Sequence, residues 1–385
     1  MGPLAGTKII ELAGLGAAPY CCMMLADMGA EVVRIERNPP PAARPDILAR
    51  NRHSISIDLK NPYGVEILLR LVEESDVLIE GFRPGVVERA GIGPEACLQR
   101  NPGLVYGRMT GWGQEGPLAE SAGHDLNYIA LSGALHPIGR AGDKPVPPLN
   151  LVGDFGGGLL LAFGVASALV ERQSSGKGQV VDAAMLDAAA SFMAMFQGTS
   201  GLSLFGERPG EGMLAGAAHF YDTYTTRDGK FISIAAIEPQ FYQQLVDKLE
   251  LDPDRFLAHG FHGPDQEADT ASWKALKEEL TAIFLQRTRD EWCDLLEGTD
   301  CCFAPVLTLS EAHLHPHNRA RKTFDSVDGK IQQAPAPRFS RSKAATPDNA
   351  AVPGADTHRV LSELGYSSRE LDQLAENAVI PPHGE

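Results

Sequence analysis

Short apolar stretches alternate with longer stretches of helical spacing along the first half of the chain. The short stretches predict β-strands at residues 7–12, 31–35, 55–59, 77–80 and 104–108. The longer stretches predict helices at residues 17–28 and 62–74. Strands that alternate with helices are typical of an open, mostly parallel sheet, so this half of the chain predicts an α/β fold.

The pattern continues with a helix at 154–172, a short strand at 179–182 and a helix at 183–196, and it changes after residue 200. There, two strands joined by Asp228-Gly229 predict a hairpin. The hairpin strands are 221–226 and 230–235, and helices are predicted at 239–249, 271–286, 290–296 and 356–375. We therefore predict a Rossmann-like large domain with a parallel sheet and a smaller α+β domain. The large domain takes residues 1–200 and is completed by 326–385, and the small domain takes 201–325.

Charge excludes several classes of partner. The 385 residues include 34 Lys and Arg against 50 Asp and Glu, which gives a formal net charge of −16. A chain this acidic repels nucleic acids and anionic lipids, so we expect no nucleic acid and no membrane among its partners. The longest uncharged run, residues 155–170, is shorter than the roughly 20 apolar residues that a membrane span needs, and it predicts a buried helix.

Cysteine and histidine spacing predicts neither a disulfide framework nor a metal site. The six cysteines are two adjacent pairs and two single residues, Cys21, Cys22, Cys97, Cys293, Cys301 and Cys302. This spacing and the lack of a signal-like N-terminal stretch predict a reducing, cytoplasmic location. The run His313-Leu314-His315-Pro316-His317 resembles a metal-binding sequence, but its proline and the lack of a neighbouring carboxylate cluster favour an ordinary loop.

A glycine-rich turn follows the first predicted strand. Gly14 and Gly16 imitate the start of a dinucleotide-binding fingerprint, but Pro19 stands where the third glycine belongs. A tight turn is therefore favoured over NAD binding, although backbone N–H groups at a helix start still suit an anion.

Basic residues recur where the predicted strands end. As a set they suggest docking of a phosphate-bearing ligand, because ligands of open α/β sheets bind at the carboxyl ends of the strands. Any one of them alone is equally well explained as a solvated surface charge. The set is Arg34, Arg37, Arg52, Lys60, Arg83 and Arg89.

Three further residues are candidates for proton transfer. His124 lies between Gly123 and Asp125 at a predicted helix start, where it is as easily structural as catalytic. Asp154 precedes three glycines and is either a helix N-cap or a catalytic carboxylate. Glu238, before Pro239, would by itself be a favourable charge at a helix start.

Long motifs along nearly the whole chain resemble CoA-transferase family III, and within it the branch of α-methylacyl-CoA racemases. The segments that carry the resemblance include DVLIEGFRPGVVERAGIG at 76–93, RMTGWGQEGP at 108–117, GHDLNY at 123–128, VPPLNLVGDFGG at 146–157 and AIEPQFY at 236–242. Transferases of this family also have an aspartate at the position of Asp154, but they lack the histidine of the Gly-His-Asp motif. The intact Gly123-His124-Asp125 therefore favours a racemase.

The resemblance implies an interlocked homodimer in which the large domain of one chain meets the small domain of the other. It implies that His124 and Asp154 are the acid–base pair and that Glu238 is their partner carboxylate. It also implies that CoA is contacted by Arg37, Ile57, Asp58, Leu59, Lys60, Gly81, Phe82, Arg83, Arg89, Gly123, Asp125, Leu126, Asn127 and Tyr128.

The implied reaction is interconversion of (2R)- and (2S)-2-methylacyl-CoA by removal and return of the α-proton through an enolate. It needs one group that accepts a proton and one that donates a proton, and it needs no cofactor, because CoA belongs to the substrate. A backbone N–H near Asp125 or Gly156 would stabilise the enolate oxygen. Two alternatives remain: a CoA-transferase that uses Asp154 as nucleophile, and a non-catalytic acyl-CoA-binding protein, which would need neither His124 nor Glu238.

Overall fold

Six parallel strands organise the first part of the chain in a computed structural model that describes residues 1–40, 42, 46–198, 203–206, 208–263 and 266–383. The strands are β1 (Lys8–Leu12), β2 (Glu31–Glu36), β3 (Arg52–Ser56), β4 (Val77–Glu80), β5 (Val105–Thr110) and β6 (Val180–Ala184). Their order in the sheet is β3-β2-β1-β4-β5-β6. This is the order of doubly wound nucleotide-binding folds, in which the chain reverses direction between β1 and β4 and leaves a crevice at the carboxyl ends. The predicted α/β class is confirmed.

Helices connect these strands and cover the sheet. They are α1 (Ala17–Asp27), α2 (Pro62–Glu73), α3 (Val86–Arg89), α4 (Pro94–Arg100), α5 (Asp125–Leu131), α6 (Gly156–Ser175) and α7 (Met185–Phe192). A π-helical turn, Leu151–Phe155, precedes α6, and a 3₁₀ turn, Ile47–Ala49, precedes β3.

Alternation along the strands builds one apolar layer on each face of the sheet. In β1, Ile9 packs with residues of α1 and α6, whereas Ile10 packs with residues of α2. Successive side chains of a strand point to opposite faces, so a strand covered on both sides reads as a continuous apolar run.

The strand β3 begins and ends three residues earlier than the predicted 55–59, at Arg52–Ser56. The charged Arg52 interrupts the apolar pattern, so the sequence pattern placed the start of the strand too late. In the structure its guanidinium is buried in an ion pair with Glu11, with the Nε atom 2.6 Å from Oε2. A paired charge is tolerated inside a sheet, and the sequence pattern alone does not show the pairing.

The predicted helix at 154–172 begins earlier and continues further, as the π-turn followed by α6. By length and composition alone, the stretch Leu151–Ser175 is long and apolar enough to cross a membrane. Of its most apolar 18 residues, 44% are buried in the structure. The buried side includes Leu161 and Val165, which pack with α1 and β5 as in a core helix.

The central part of the chain contains an antiparallel sheet in the order β7-β8-β9, with helices around it. The strands are β7 (Tyr221–Thr225), β8 (Phe231–Ala235) and β9 (Phe303–Val306). The helices are α8 (Ala194–Gly198), α9 (Pro239–Lys248), α10 (Pro253–Phe256), α11 (Thr270–Phe284), α12 (Arg289–Leu296), α13 (Leu309–Ala312) and α14 (Pro316–Arg321). Short 3₁₀ turns occupy Ser203–Phe205, Met213–Ala215 and Leu257–His259. The predicted hairpin is confirmed, and the predicted helix 183–196 is interrupted between α7 and α8.

The C-terminal segment forms the hairpin β10 (Phe324–Val327) and β11 (Lys330–Gln333), followed by α15 (Thr357–Glu363) and α16 (Ser368–Glu376). The single helix predicted at 356–375 is two helices, because Gly365 adopts a positive φ of 94° between them. Leu361 and Leu371 pack with Ile55 and Leu68, so the tail completes the core on one face of the parallel sheet.

The chain forms two compact units. The first unit contains Met1–Leu131, Leu149–Ala189 and Arg319–Glu385, and the second contains Ser132–Pro148 and Ala190–Asn318. The predicted domains differ from these units in two ways: residues 132–148 and 190–198 belong to the second unit, and residues 319–325 belong to the first. All six cysteines are free.

Candidate active site

The carboxyl ends of β2, β3 and β4 bring the predicted CoA-contacting loops to one edge of the sheet, since parallel strands end on the same side. Arg37 follows β2, the segment from Ile57 to Lys60 follows β3, and the segment from Gly81 to Arg83 follows β4. Arg89 ends α3, and its guanidinium folds back over Gly85, where a Cβ added to the glycine would lie 2.8 Å from Nη1. Of these loops, the one after β4 lies next to the point where the strand order reverses, and those after β2 and β3 lie on the other side of β1.

Four exposed cations at this edge have no ion-pair partner in the described part of the chain. They are Arg37, Lys60, Arg83 and Arg89. In a chain of net charge −16, cations that carboxylates leave unpaired are suited to a polyanion.

The other two members of the predicted basic set are structural. Arg34 is buried and its Nε lies 2.7 Å from Oε1 of Glu36, while the side chain also pairs with Glu11. Arg52 pairs with the other oxygen of Glu11. Their expected role as ligand-binding cations is wrong, because both guanidinium groups are already neutralised inside the sheet.

Not every side chain of the segment after β3 is accessible to a ligand. Ile57 is buried in the core, so only its backbone is available at the edge, and its N–H donates to Glu36 O at 3.0 Å. Asp58 Oδ1 accepts the N–H of Lys60 at 3.0 Å, which holds the turn, and Leu59 is half-buried. The exposed ammonium of Lys60 is the group this segment offers to solvent.

The loop after β4 is held from inside by Glu80. Its Oε2 accepts the N–H of Phe82 at 2.6 Å, and its Oε1 accepts from Arg108 Nε at 2.9 Å. Burial raises the pKa of Glu80, and these two donors oppose that rise by favouring the charged form. The loop from Gly81 to Arg83 is therefore anchored by a buried carboxylate rather than freely hinged.

His124 is exposed and directly precedes α5, which its carbonyl helps to start. The N–H of Asn127 donates to His124 O at 2.8 Å, and the His124 N–H donates to Asn127 Oδ1 at 3.1 Å. The second bond is one half of a capping box, in which a side chain of the first helical turn accepts the N–H of the residue before the helix, and the two bonds together fix the backbone of the histidine. Leu126 and Asn127 are exposed on the first turn of α5.

The aromatic rings of Trp112 and Tyr128 support the backbone before His124. The rings meet edge to face with centroids 4.7 Å apart, and the Tyr128 hydroxyl donates to Gly123 O. A Cβ at Gly123 would lie 2.8 Å from Tyr128 Cε1 and 2.9 Å from Trp112 Cζ2, so this position requires glycine. Burial raises the pKa of Tyr128, the charge of Asp154 adds to the rise, and Arg83 opposes it.

Asp154 is not a helix N-cap, and that expectation is corrected. It lies inside the π-turn Leu151–Phe155, and its own N–H and that of Gly153 both donate to Asp125 Oδ2. Its carboxylate is half-buried and accepts a hydrogen bond from Asn150 Nδ2 to Oδ2 at 3.0 Å. A Cβ at Gly16, where φ is +70°, would lie 3.2 Å from the same oxygen. The carboxylate thus lies at the turn that follows β1.

One of the two expected enolate-stabilising groups is occupied. The N–H of Gly156 donates to the carbonyls of Leu151 and Gly153 within the helix, so that expectation is wrong for Gly156. The N–H of Asp125, in the first position of α5, has no acceptor among the described residues.

Glu238 belongs to the second unit, where it is exposed and forms the N-cap of α9. Its carbonyl accepts the N–H groups of Phe241 and Tyr242, both at 3.0 Å, while its side chain caps nothing. Burial raises the pKa of Cys302, and the charge of Glu238 contributes to that rise. Within the described part of the chain, this exposed carboxylate has neither a hydrogen bond nor an ion pair.

Three supporting residues were missed by the sequence analysis. Asn150, Trp112 and Glu80 contact the candidate residues or the loop that carries them. Asn150 and Asp154 stand four residues apart, a spacing that brings side chains together on a helix. Of the three residues, only Asn150 could therefore have been predicted from local spacing. The contacts of Trp112 and Glu80 join different elements and have no such signal.

Comparison with known proteins places this geometry in a family. A family model described as CoA-transferase family III matches residues 4–359. α-Methylacyl-CoA racemase of Mus musculus is 43% identical over 98% of this chain and 97% of its own length, and that of Homo sapiens is 42% identical over 98% and 97%. The crystal structure of a CAIB/BAIF family protein from Brucella suis superposes with a TM-score of 0.79 at 27% identity, covering 94% of this chain and 99% of that one.

Proposed function

Since the chain belongs to CoA-transferase family III, we propose that it is a racemase that interconverts (2R)- and (2S)-2-methylacyl-CoA thioesters. The observation that carries the proposal is that two residues able to transfer protons lie on bonded segments, since Asp125, the neighbour of His124, accepts the N–H of Asp154. The identity of 43% and 42% to two α-methylacyl-CoA racemases supports the choice of reaction.

The chemistry requires an acceptor and a donor on opposite faces of the α-carbon. Neutral His124 removes the proton from one stereoisomer while protonated Asp154 returns a proton to the other face. For the opposite stereoisomer the Asp154 carboxylate accepts and the imidazolium of His124 donates. The exchanged group is a single proton, so the reaction is balanced without an oxidant or a further co-substrate, and no cofactor is called for.

The CoA part of the substrate supplies the binding energy. Its phosphates match the cations Arg37, Lys60, Arg83 and Arg89, and charge-assisted hydrogen bonds to phosphate are stronger than neutral ones. In this proposal the N–H of Asp125, which has no acceptor among the described residues, binds the thioester oxygen as negative charge develops on it, and one such donor contributes about 3–4 kcal/mol in other enzymes.

A homodimer completes the proposal, with Glu238 of the partner subunit orienting the imidazole of His124. Exposed apolar side chains on α6 support a second copy, since Leu159, Phe163 and Val170 recur at helical spacing and Phe163 is 70% exposed. An apolar stripe on the exposed face of a helix is commonly covered by another subunit.

A CoA-transferase is the second candidate, favoured by the family model and by the half-buried carboxylate of Asp154. In that reaction Asp154 attacks the thioester carbonyl, and CoA leaves and is later returned to a different acid. His124 is then dispensable, which separates the two candidates.

The test uses one pure stereoisomer of 2-methylacyl-CoA in deuterated water, followed by chiral chromatography and mass spectrometry. The racemase proposal expects loss of chirality with deuterium at C2, slowed by about 10²- to 10⁴-fold in His124→Ala. The matched control His53→Ala removes a half-exposed histidine of β3 in the same unit and should react at the wild-type rate. No exchange, with CoA passing instead to an added carboxylic acid, would reject the racemase in favour of the transferase.

A further inference from the structure

One buried carboxylate oxygen joins the backbone segments that carry His124 and Asp154. Asp125 follows His124 directly and is only 5% exposed. Its Oδ2 accepts the N–H of Gly153 at 2.6 Å and the N–H of Asp154 at 2.8 Å. The first residue of α5 is thereby bonded to the π-turn that begins the next long helix.

This contact replaces the ordinary cap of that helix. The first N–H groups of a helix lack intrahelical acceptors, and the residue just before the helix normally satisfies them with its side chain. Here the preceding residue is Asn150, whose side chain donates to Asp154 Oδ2 instead. The backbone of Asp154 is thus held by Asp125 and its carboxylate by Asn150.

The carboxylate of Asp125 is buried, and burial disfavours its charged form. Its other oxygen, Oδ1, is buried and has no hydrogen-bond donor in the described ranges. Burial raises the pKa of Asp125 and the charge of Asp154 adds to the rise, while the two N–H donors lower it. A buried acceptor without a partner lowers the stability of the fold, so a neutral cap in this position would be the more stable solution.

Resting on the proposed racemase function, we propose that Asp125 is a positioning residue that holds Asp154 at a fixed place relative to His124. Two groups that act on opposite faces of one carbon need defined separation, and a misplacement of about 1 Å costs on the order of 10²-fold in rate. Because the carboxylate of Asp125 points inward, it acts through Asp154 and does not touch the substrate.

This assignment differs from what family resemblance implies for Asp125, namely contact with CoA. A contact with CoA predicts that substitution raises KM and leaves kcat in place, since it removes binding that is equal in ground and transition states. A positioning residue predicts the reverse, a fall in kcat with little change in KM. The steady-state constants therefore separate the two roles.

Three variants test the proposal in the full-length protein, with (2R)- and (2S)-2-methylacyl-CoA as substrates. Asp125→Ala removes the acceptor and should lower kcat in both directions by roughly 10²-fold with KM nearly unchanged. Asp125→Asn keeps an oxygen toward Gly153 and Asp154, and should recover most of that loss. Gly153→Ala places a Cβ 2.7 Å from Asp125 Oδ2 and displaces the carboxylate without removing a polar group, so it should reproduce the kcat loss.

The matched control is Asp356→Ala. Asp356 Oδ2 also accepts a backbone N–H, that of Ser54 at 2.9 Å, in the same unit, and Asp356 is not one of the candidate residues. Its kcat should equal that of wild type, and its thermal unfolding shows what the loss of an aspartate with several contacts, including a pair with Arg359, costs in stability. If Asp125→Ala does not fold, Gly153→Ala and Asp125→Asn still decide the question.

The outcomes distinguish a failure of this proposal from a failure of the racemase proposal on which it rests. Wild-type protein that neither racemises nor exchanges the α-proton rejects the racemase function and with it this role. Active wild-type protein whose Asp125→Ala and Gly153→Ala variants retain wild-type kcat, or change only in KM, rejects positioning by Asp125 and leaves the racemase function standing.

Discussion

The second unit is expected to lose stability in mild acid because it buries a neutral histidine. His219 is 0% exposed, and its Nε2 lies 2.5 Å from the Tyr242 hydroxyl, which in turn donates to Phe256 O at 3.0 Å. Its Nδ1 has no partner among the described residues. Burial lowers the pKa of His219 to about 3, and the neighbouring charges of His259 and Lys277 contribute.

Protonation of this histidine favours the unfolded chain. The unfolded chain protonates it below its ordinary pKa of 6.5, whereas the folded chain does so only near pH 3. Between these values the unfolded state holds one more proton, so the free energy of unfolding falls as the pH falls. At pH 5 the difference spans about 1.5 pH units, which corresponds to a loss of about 2 kcal/mol.

The assay compares wild type with His219→Gln, whose amide nitrogen can still meet Tyr242 but does not titrate. Urea unfolding followed by tryptophan fluorescence reports this core, since two of the three tryptophans, Trp273 and Trp292, belong to it and Trp273 packs on Phe220 beside His219. The window from pH 6.5 to 5 lies above the titration of unfolded carboxyl groups, so histidines dominate there. Between pH 7 and pH 5 wild type should lose about 2 kcal/mol more than the variant. Equal losses in the two proteins would refute the reasoning.

Two further predictions concern the candidate site. Gly123→Ala should lower kcat by at least about tenfold, because its Cβ displaces the ring of Tyr128, whereas Gly198→Ala, with open space at its Cβ, should behave as wild type in the same kinetic assay. Arg83→Gln should raise KM for acyl-CoA and weaken its dependence on salt, with kcat nearly unchanged. The control Arg227→Gln alters an exposed arginine that pairs with Glu291, and an equal rise of KM there would contradict a specific role for Arg83.

Local patterns were sufficient for most of the secondary structure. The strands β1, β2, β4 and β5 and the hairpin of β7 and β8 are set by short apolar runs and by Asp228-Gly229, all within a few residues of one another. The position of the basic residues that follow the strands could also be predicted from the sequence. A basic residue directly after an apolar strand lies at the carboxyl edge of a parallel sheet, whatever the order of the strands.

Which of those cations remain available was decided only by tertiary structure. Arg34 and Arg37 are three residues apart in the sequence, yet Arg34 is neutralised by Glu11 from the neighbouring strand and Arg37 is not paired in the described part of the chain. The pairing depends on the register of β1 and β2, which brings Glu11 beside Arg34. The additional pair with Glu36 lies within β2 itself, but no pattern within either strand encodes the contact with Glu11.

The candidate site shows the same division. The sequence by itself determined that His124 and Asp154 stand at helix starts, since glycines and polar residues before an apolar run signal such a start. Tertiary structure decided that Asp154 lies within a π-turn, because Asp125, about thirty residues earlier, accepts its N–H and extends the helix toward the N-terminus. Helix starts follow from neighbours in the chain, whereas hydrogen bonds between elements follow from packing that only the folded chain creates.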